Sequence, residues 1–432
     1  MLIAAASALL AMAGADSLPR PISLDQAIEL AQKNSPAVVQ AIGEQRTAAA
    51  SVRSAYAAFI PSFTLSSGTT RQLPAQGPRT VVENGQVVIL PTEPWSTNIG
   101  MGANVTLFAG GRRIFDLKQA HAQSDAADVG LVEQTYMVRL DVQQQYFNSL
   151  AAIESESAAR AQLGQAQEQY KAAIVRLRAQ TATRSDSLRA EIQIRNAQIA
   201  LLQARSDLEV ANATLTRMVA TPYPVTAMAA DTLDRPGLAL EDDAILKLAG
   251  ESPAVHSAET AVTSARAARN SAWAAYLPTI TASYSRGGSG TSGDFSPWSG
   301  DLTYSGSLRF SMSLPVFDQL QREEQVTRAD VALTNAEAQL RDARLAAQES
   351  AIQDLGVFHT SEEKLAAQVL TVAASEEDLR TQQQRYSVGT STLLDLLTSQ
   401  ATLDQARQAL IRARYDLRVA RAQLEALLGR AL

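Results

Sequence analysis

Several features of this sequence have residue types that could do chemistry, but none of them makes a catalytic site. Gly288–Gly293 has the G-x-G-x-x-G spacing of a phosphate-binding turn, yet no strand–turn–helix unit surrounds it, so we expect a surface loop. The histidines His121, His256 and His359 are isolated and lack metal-ligand spacing. The absence of cysteine excludes disulfides, thiol catalysis and cysteine-bound metals. We therefore expect no enzyme, cofactor or metal.

A further pattern, Thr-x-x-Asp, occurs twice, at Thr183–Asp186 and Thr392–Asp395. It is typical of a helix N-terminus, where the hydroxyl and the carboxylate satisfy backbone N–H groups. The helix dipole favours a negative charge there whatever else the residue does. These aspartates are therefore caps alone, or caps with a further role. Gly389 supplies the helix break before the second pattern, whereas the matching position before the first is Gln180.

The elements that position these residues are duplicated along the chain. Ala27–Ala41 returns as Ala244–Ala258, and Phe108–Ala220 aligns without a gap to Phe317–Gly429 at an offset of 209. Such a repeat indicates two copies of one structural unit. We predict a first repeat over 22–220, a linker over 221–238 and a second repeat over 239–432.

Long helices dominate each repeat. Apolar residues recur at alternating three- and four-residue steps from Ile194 to Met218, and again from Leu403 to Leu427. This heptad pattern predicts coiled coils in which alanine allows close helix approach. The stretches 112–177 and 321–386 contain no proline, and each would form a helix of about 100 Å. We place the reversals between helices, the tip turns, at 178–183 and 387–392.

Four stretches alternate apolar and polar residues and are predicted strands, at 62–72, 98–108, 279–286 and 301–315. Trp95 and Trp298, each in a Pro-Trp-Ser triplet, lie near the start of the second strand of each pair, as aromatic residues do at a membrane interface. A soluble hairpin with one buried face is the alternative. Four strands cannot close a barrel, and lipid does not tolerate open strand edges. If these strands span a membrane, several chains must therefore share one barrel, and three chains give twelve strands with room for a pore.

Composition limits the class of protein. The net charge of −6 without a basic cluster argues against a nucleic-acid partner. Aromatic residues make up only 5% of the chain, which favours long helices packed through small side chains. The apolar run Leu2–Ala13, followed by Ala-Gly-Ala, predicts a signal peptide over 1–15, with a buried N-terminal helix as the alternative. No other run approaches the roughly 18 apolar residues of a membrane helix.

The sequence resembles the TolC family of outer-membrane efflux channels across essentially the whole mature chain. The tip sequence Tyr386–Leu397 (YSVGTSTLLDLL) is close to the second-repeat signature of that family. The pieces SPAV, FIP or YLP, and Phe108–Arg112 (FAGGR) also match the family, and their order, duplication and spacing strengthen the resemblance. The resemblance implies a mainly α fold with membrane β-strands, in which a homotrimer forms a twelve-stranded barrel above a periplasmic helical barrel. It also implies an adaptor (membrane fusion) protein and an inner-membrane transporter as partners.

The resemblance also assigns expectations to residues of the tip. Asp395 matches an aspartate that rings the family's constriction, and Tyr386 and Asp186 match members of the polar network that holds the tip helices together. Ser391 stands where the best-studied relatives have a basic residue, and Thr398 where they have a second ring aspartate. Fewer links and one carboxylate ring would imply a weaker latch.

We therefore expect the outer-membrane duct of a tripartite pump that exports small molecules such as drugs, with a long periplasmic extension. One alternative is the outer-membrane component of type I protein secretion. The other is a periplasmic coiled-coil adaptor or scaffold that forms no channel. The duplicated strands favour the channel, because an adaptor would be expected to place one helical hairpin inside small β-domains.

Overall fold

The computed structural model describes residues 19–73, 79–83, 86–90, 94–229, 238, 240–295 and 302–432. The expected signal peptide and Trp298 lie outside these residues. The helices are α1 (Leu24–Asn34), α2 (Pro36–Ala57), α3 (Arg112–Arg178), α4 (Arg184–Val219), α5 (Asp242–Ala249), α6 (Pro253–Trp273), α7 (Gln321–Ser387) and α8 (Leu393–Leu428). The strands are β1 (Arg20–Ile22), β2 (Ser62–Arg71), β3 (Arg79–Glu83), β4 (Gln86–Leu90), β5 (Trp95–Ala109), β6 (Val225–Ala227), β7 (Thr279–Ser292) and β8 (Thr303–Ser313). The fold is mainly helical, as the sequence predicts.

The duplication is visible in the lengths of the helices. Both α3 and α7 have 67 residues and begin 209 positions apart, and both α4 and α8 have 36 residues at the same offset. A 67-residue helix is about 100 Å long. All the heptad residues named by the sequence pattern in α4 and α8 are buried or half-buried, so the seams pack against other helices.

The described chain divides into two compact units. The helical unit comprises the residues up to Glu44 together with Asp128–Ser257 and Arg341–Leu432. Its largest core forms around α1, the middle of α3, the end of α4 and the short parallel pair β1–β6. The fully buried Tyr146 hydroxyl donates to Ile22 O at 3.0 Å and accepts from Met228 N at 3.1 Å, which fixes this pair on α3. The segment expected to be a linker therefore contains an ordered strand.

The sheet unit comprises Gln45–Ala127 and Ala258–Leu340. Its antiparallel sheet has the order β2-β5-β7-β8, so β2 and β8 are the edges within the described chain. A register shift between Thr106 and Phe108 places Phe108 opposite Ile280. Strand β7 continues to Ser292, so the expectation of a surface loop at Gly288–Gly293 is wrong for most of that segment. Glycine has a low β-strand propensity, but here pairing with β5 and β8 keeps this segment in a strand.

The sheet has two chemically different faces. Paired residues share a face, and successive residues alternate. One face, the apolar face, carries large side chains that are mostly exposed in the single chain, among them Phe63, Leu65, Met101, Tyr284, Tyr304, Leu308, Phe310 and Met312. The other, the polar face, carries small or polar residues, among them Thr64, Ser66, Gly100, Gly102, Ser285, Gly287, Ser305 and Ser307.

The positions with left-handed backbone conformation are also duplicated between the two repeats. Every positive-φ residue in the described part of the chain has a partner 209 positions away, and one member of each pair is glycine. The pairs are Gly110 with Gln319, Gly111 with Leu320, Gln180 with Gly389, and Ala220 with Gly429.

Across the described residues, we find no helix whose length and apolar character would let it cross a bilayer.

Candidate functional site

The tip of the second repeat is a tight reversal between α7 and α8. Gly389 has φ +80, and the N–H of Thr390 donates to Arg385 O at 2.9 Å, which closes the end of α7. This is the Schellman arrangement, which uses a left-handed residue to satisfy the last helical carbonyls. No atom lies within 4 Å of the position that a Cβ on Gly389 would occupy, so glycine is favoured by the backbone alone.

Helix α8 begins at once with a capping box. Thr392 N donates to Asp395 Oδ2 at 3.0 Å, and Asp395 N donates to Thr392 Oγ1 at 3.2 Å. The hydrogen bonds from the Thr392 backbone and hydroxyl lower the pKa of Asp395 below its ordinary value of 3.8. Asp395 is exposed, so it remains a surface anion while it caps the helix.

The tip of the first repeat has the same geometry without a glycine. Gln180 takes φ +58, and Thr181 N donates to Arg176 O at 2.9 Å. Thr183 N donates to Asp186 Oδ2 at 3.0 Å, and the hydrogen bonds from Thr183 lower the pKa of Asp186. The first turn therefore adopts the left-handed conformation in spite of the Cβ of Gln180.

A side-chain contact joins the ends of α3 and α7. The Arg176 guanidinium lies over the Tyr386 ring, 4.2 Å from its centroid. Such cation–π contacts are attractive without a salt bridge. In this chain the Asp186 side chain bonds its own cap residue, Thr183, and Tyr386 contacts Arg176. The role of Tyr386 and Asp186 in one network stays a prediction.

The two tip residues that depart from the family pattern bond locally. Ser391 Oγ lies 3.1 Å from Gln382 Oε1 and 3.3 Å from Asp395 Oδ2, so it links the end of α7 to the cap of α8. Thr398 Oγ1 donates to Leu394 O at 2.9 Å, within its own helix.

Behind the tip, α3 and α8 are joined by a row of polar contacts, which we call the α3–α8 ladder. It contains Glu154, Ser155, Gln162 and Gln165 of α3, and Gln400, Asp404, Gln408 and Tyr415 of α8. The two ends are a Tyr415 Oη–Glu154 hydrogen bond of 2.7 Å and a Gln400 Nε2–Gln165 Oε1 hydrogen bond of 2.9 Å. Since α3 belongs to the first repeat and α8 to the second, the ladder connects the two repeats.

Two ladder residues are in unusual environments. Gln400 is 3% exposed, and its Oε1 is buried without a hydrogen-bond partner among the described residues. Asp404 accepts from Gln162 at 2.7 Å and from Gln400 at 3.2 Å. Burial nevertheless raises the pKa of Asp404, because desolvation of the carboxylate outweighs these bonds and the nearby Arg407.

Sequence reasoning missed both the ladder and Arg176. The heptad steps of α8, continued back from Leu403, reach Ser399 and not Gln400, so this pattern does not mark Gln400. No local signal pairs Arg176 with Tyr386, because they lie 210 positions apart.

Of the two predicted interface tryptophans, the structure describes Trp95. It opens β5, with the Arg71 guanidinium 5.5 Å from its ring centroid and Phe295 edge-on at 5.1 Å. Trp298 lies outside the described residues.

Comparison with known proteins decides the family. The model of the outer membrane efflux protein family matches residues 27–221 and 244–430, once for each repeat. The chain belongs to the outer membrane efflux protein family. The resemblance to the TolC family is thereby confirmed, and the expectation that this is not an enzyme agrees with a family of outer-membrane channels. The protein is located in the outer membrane, with its helical part extending into the periplasm.

Individual relatives agree with this assignment. Outer membrane protein TolC of Escherichia coli (strain K12) is 28% identical over 119 residues, which are 28% of this chain and 24% of TolC. Among solved structures, CusC superposes with a TM-score of 0.79 at 18% identity, covering 96% of this chain and 94% of CusC. The open-state MtrE outer membrane channel of Neisseria gonorrhoeae gives 0.77 at 23% identity, covering 95% and 89%. VceC of Vibrio cholerae gives 0.75 at 18%, covering 94% and 96%.

Proposed function

We propose that this efflux-family protein is the outer-membrane exit duct of a tripartite pump that exports small molecules such as drugs. The observation that carries the proposal is the four-stranded sheet, which has one apolar face, one polar face and two edge strands that pair with no further strand in the described part of the chain. An exposed apolar face of this size needs a covering surface, and lipid would cover it.

Three chains would complete the barrel. Edge strand β8 of one chain would pair with edge strand β2 of the next, giving twelve strands and no free edge. The apolar face would then contact lipid, and the small residues of the polar face would line a water-filled pore. The outer-membrane lipid is thus a direct partner of the trimer.

The tip turns would form the gate of this duct. In a trimer the exposed Asp395 would repeat three times around the axis as a ring of negative charge, and the polar contacts near the tip would hold the helices closed. Capping alone also explains the Thr392–Asp395 geometry, so a pore role requires a functional test. We place the periplasmic adaptor protein and the inner-membrane transporter at this end, with the transporter supplying the energy.

The test is the single-channel current of the purified protein in a planar lipid bilayer, together with its mass in detergent. Discrete conductance steps from a trimer would support the duct. A folded monomer without conductance would instead support the scaffold alternative.

A second experiment addresses the cargo. Deleting the gene should raise the sensitivity of the cells to toxic small molecules, and the wild-type gene should restore resistance. A deletion that leaves drug sensitivity unchanged but abolishes secretion of a protein would overturn the efflux assignment in favour of type I secretion.

A further inference from the structure

The charges of the membrane sheet are all of one sign. Strands β2, β5, β7 and β8 contain three charged residues, Arg71, Arg286 and Arg309, and no aspartate or glutamate. The whole chain, by contrast, has a net charge of −6. A cationic sheet in an acidic protein favours an anion supplied from outside the chain to at least one of these arginines.

Arg286 lies on the apolar face. It pairs with Met101 on one side and Gly306 on the other, in the row that also contains Leu65. A Cβ built on Gly306 would lie 3.9 Å from Arg286 Cγ and 4.0 Å from the Tyr284 hydroxyl, so both side chains lean over this glycine. Within the described part of the chain no carboxylate pairs with the exposed Arg286 guanidinium.

The neighbours of Arg286 on this face supply further hydrogen-bond donors. The Tyr304 ring covers Gly288, two residues further along β7, because a Cβ there would lie 2.8 Å from Tyr304 Cε1. Tyr284 and Tyr304 are thus neighbours of Arg286 on the apolar face. A guanidinium with hydroxyl donors beside it is a typical partner of phosphate oxygens.

The position of Arg286 along the strand suits a lipid headgroup. The apolar face gives way to hydroxyls at the row of Thr69 and Thr97, which face each other at 3.2 Å and pair level with Gly290. Arg286 lies four residues from that row, which is about 13 Å along a strand and about 9 Å along the membrane normal at a tilt near 45°. A long arginine side chain can bridge much of this depth, with its stem in lipid and its charge directed toward the headgroups.

We propose that Arg286, with Tyr284 and Tyr304, binds the phosphate group of an anionic lipid in the leaflet that meets the loop end of the sheet. The proposal rests on the membrane position of the sheet given above. It commits to a lipid rather than to a free anion, because the site lies on the apolar face, where acyl chains would pack against Leu65 and Leu308. The bound lipid forms part of the outer surface of the barrel.

The test measures lipid retention by native mass spectrometry of the purified full-length protein in non-ionic detergent, with phosphatidylglycerol and phosphatidylcholine as probes. The wild type should retain phosphatidylglycerol in preference, and Arg286→Leu should weaken its binding about tenfold, as the loss of a charge-assisted hydrogen bond does. Tyr284→Phe and Tyr304→Phe should each weaken it less. Arg309→Leu is the matched control: it removes an arginine from the polar face and should leave phosphatidylglycerol binding unchanged.

Two results would overturn the proposal: phosphatidylglycerol binding that is the same in Arg286→Leu as in Arg309→Leu, or displacement of the lipid by inorganic phosphate, which would indicate a free-anion site. Arg286→Gln keeps a polar side chain and serves as the second variant should Arg286→Leu misassemble. Bilayer currents recorded on the same samples separate this proposal from the channel itself. A conducting wild type with no lipid preference contradicts only the lipid site, whereas a wild type that is both silent and monomeric contradicts the duct.

Discussion

At the residue scale, the capping role of Asp395 and its proposed pore role can be separated by its counterpart in the first repeat. Asp186 makes the same capping contacts, with Thr183 in place of Thr392. A cap is worth the same to either helix, but only a residue on the pore axis contributes charge to permeating ions. The pair Asp395 and Asp186 therefore offers a built-in control for the pore assignment.

We expect Asp395→Asn to lower cation selectivity and to weaken block by divalent cations. The lowered pKa keeps this carboxylate ionised at neutral pH, so the substitution removes a full charge from each chain. Reversal potentials and divalent titrations in planar bilayers measure both effects. Asp186→Asn should change them much less, and unchanged currents in Asp395→Asn would assign Asp395 to capping alone.

At the same scale, the left-handed pairs show that backbone conformation is set by the architecture rather than by glycine. Gly389 and Gln180 occupy equivalent turns with φ +80 and +58. Sequence reasoning predicted both turns but not the conformation of Gln180, because a glutamine there carries no local sign of positive φ. The helices on either side impose it.

We predict opposite effects on stability for substitutions at these two positions. Gly389→Ala should destabilise the protein by about 1 kcal/mol, the typical cost of a Cβ in left-handed backbone. Gln180→Gly should not destabilise it, because relief of the same strain offsets the greater freedom of the unfolded chain. Thermal or denaturant unfolding measures both. A loss of stability in Gln180→Gly would show that its side chain makes contacts that matter more than the strain.

At the element scale, the α3–α8 ladder differs from the apolar seam between α7 and α8. Near the tip, Leu379, Leu393, Leu396 and Leu403 form an apolar cluster within the second repeat. The ladder instead joins α8 to α3 through hydrogen bonds, although Tyr415 also stacks on Phe147 of α3. An apolar seam is stabilised by any close packing of its side chains. Polar side chains, by contrast, form all their hydrogen bonds in only one register of the two helices. The ladder therefore fixes how the two repeats align.

We expect Asp404 to make the stability of the protein depend on pH. Its folded pKa is raised above 3.8 by burial, so the folded state binds more protons than the unfolded one in the range above pH 3.8. Stability should thus decline as pH rises through the raised pKa, and acidification should recover it. Asp404→Asn should flatten this part of the profile of melting temperature against pH. Asp416→Asn, an exposed position on the same helix, should keep the wild-type profile. Loss of the pH dependence in both variants would contradict the assignment to Asp404.

Sequence reasoning was accurate where pattern alone decides structure. The bounds of α3 and α7 fall within one residue of the predicted ones, because a long stretch without proline leaves few places for a helix to end. It failed where the partner is distant. Gly288 lies in a strand because Ile99 on β5 and Tyr304 on β8 pair with it. The Gln400–Gln165 contact likewise joins residues 235 positions apart.

At the scale of the whole molecule, assembly can be tested through the edges of the sheet. The chain has no cysteine, so a disulfide can form only between cysteines that are introduced by mutation. Ser66 on β2 and Ser305 on β8 lie in one row at opposite edges, three strand spacings or about 14 Å apart, too far for a disulfide within one chain. Ser66→Cys combined in turn with Thr303→Cys, Ser305→Cys and Ser307→Cys should yield cross-linked dimers and trimers for at least one pair.

The single variant Ser66→Cys is the control and should remain uncross-linked to β8 of a neighbour. Non-reducing electrophoresis of oxidised membranes measures the cross-linked dimers and trimers. Should none of the three pairs cross-link in the membrane, the edges do not meet and the shared barrel is wrong.

The two open edges have a further consequence, for the order of the folding reaction. Helices and the β2-β5-β7-β8 sheet can form within one chain, at a rate that does not depend on dilution. Closing the edges requires neighbours, so that step slows as the protein becomes scarce in the membrane. Until neighbours arrive, each chain presents two strands able to pair with the wrong partner. The yield of correct assemblies should therefore depend on expression level, through competition between closure and misassembly.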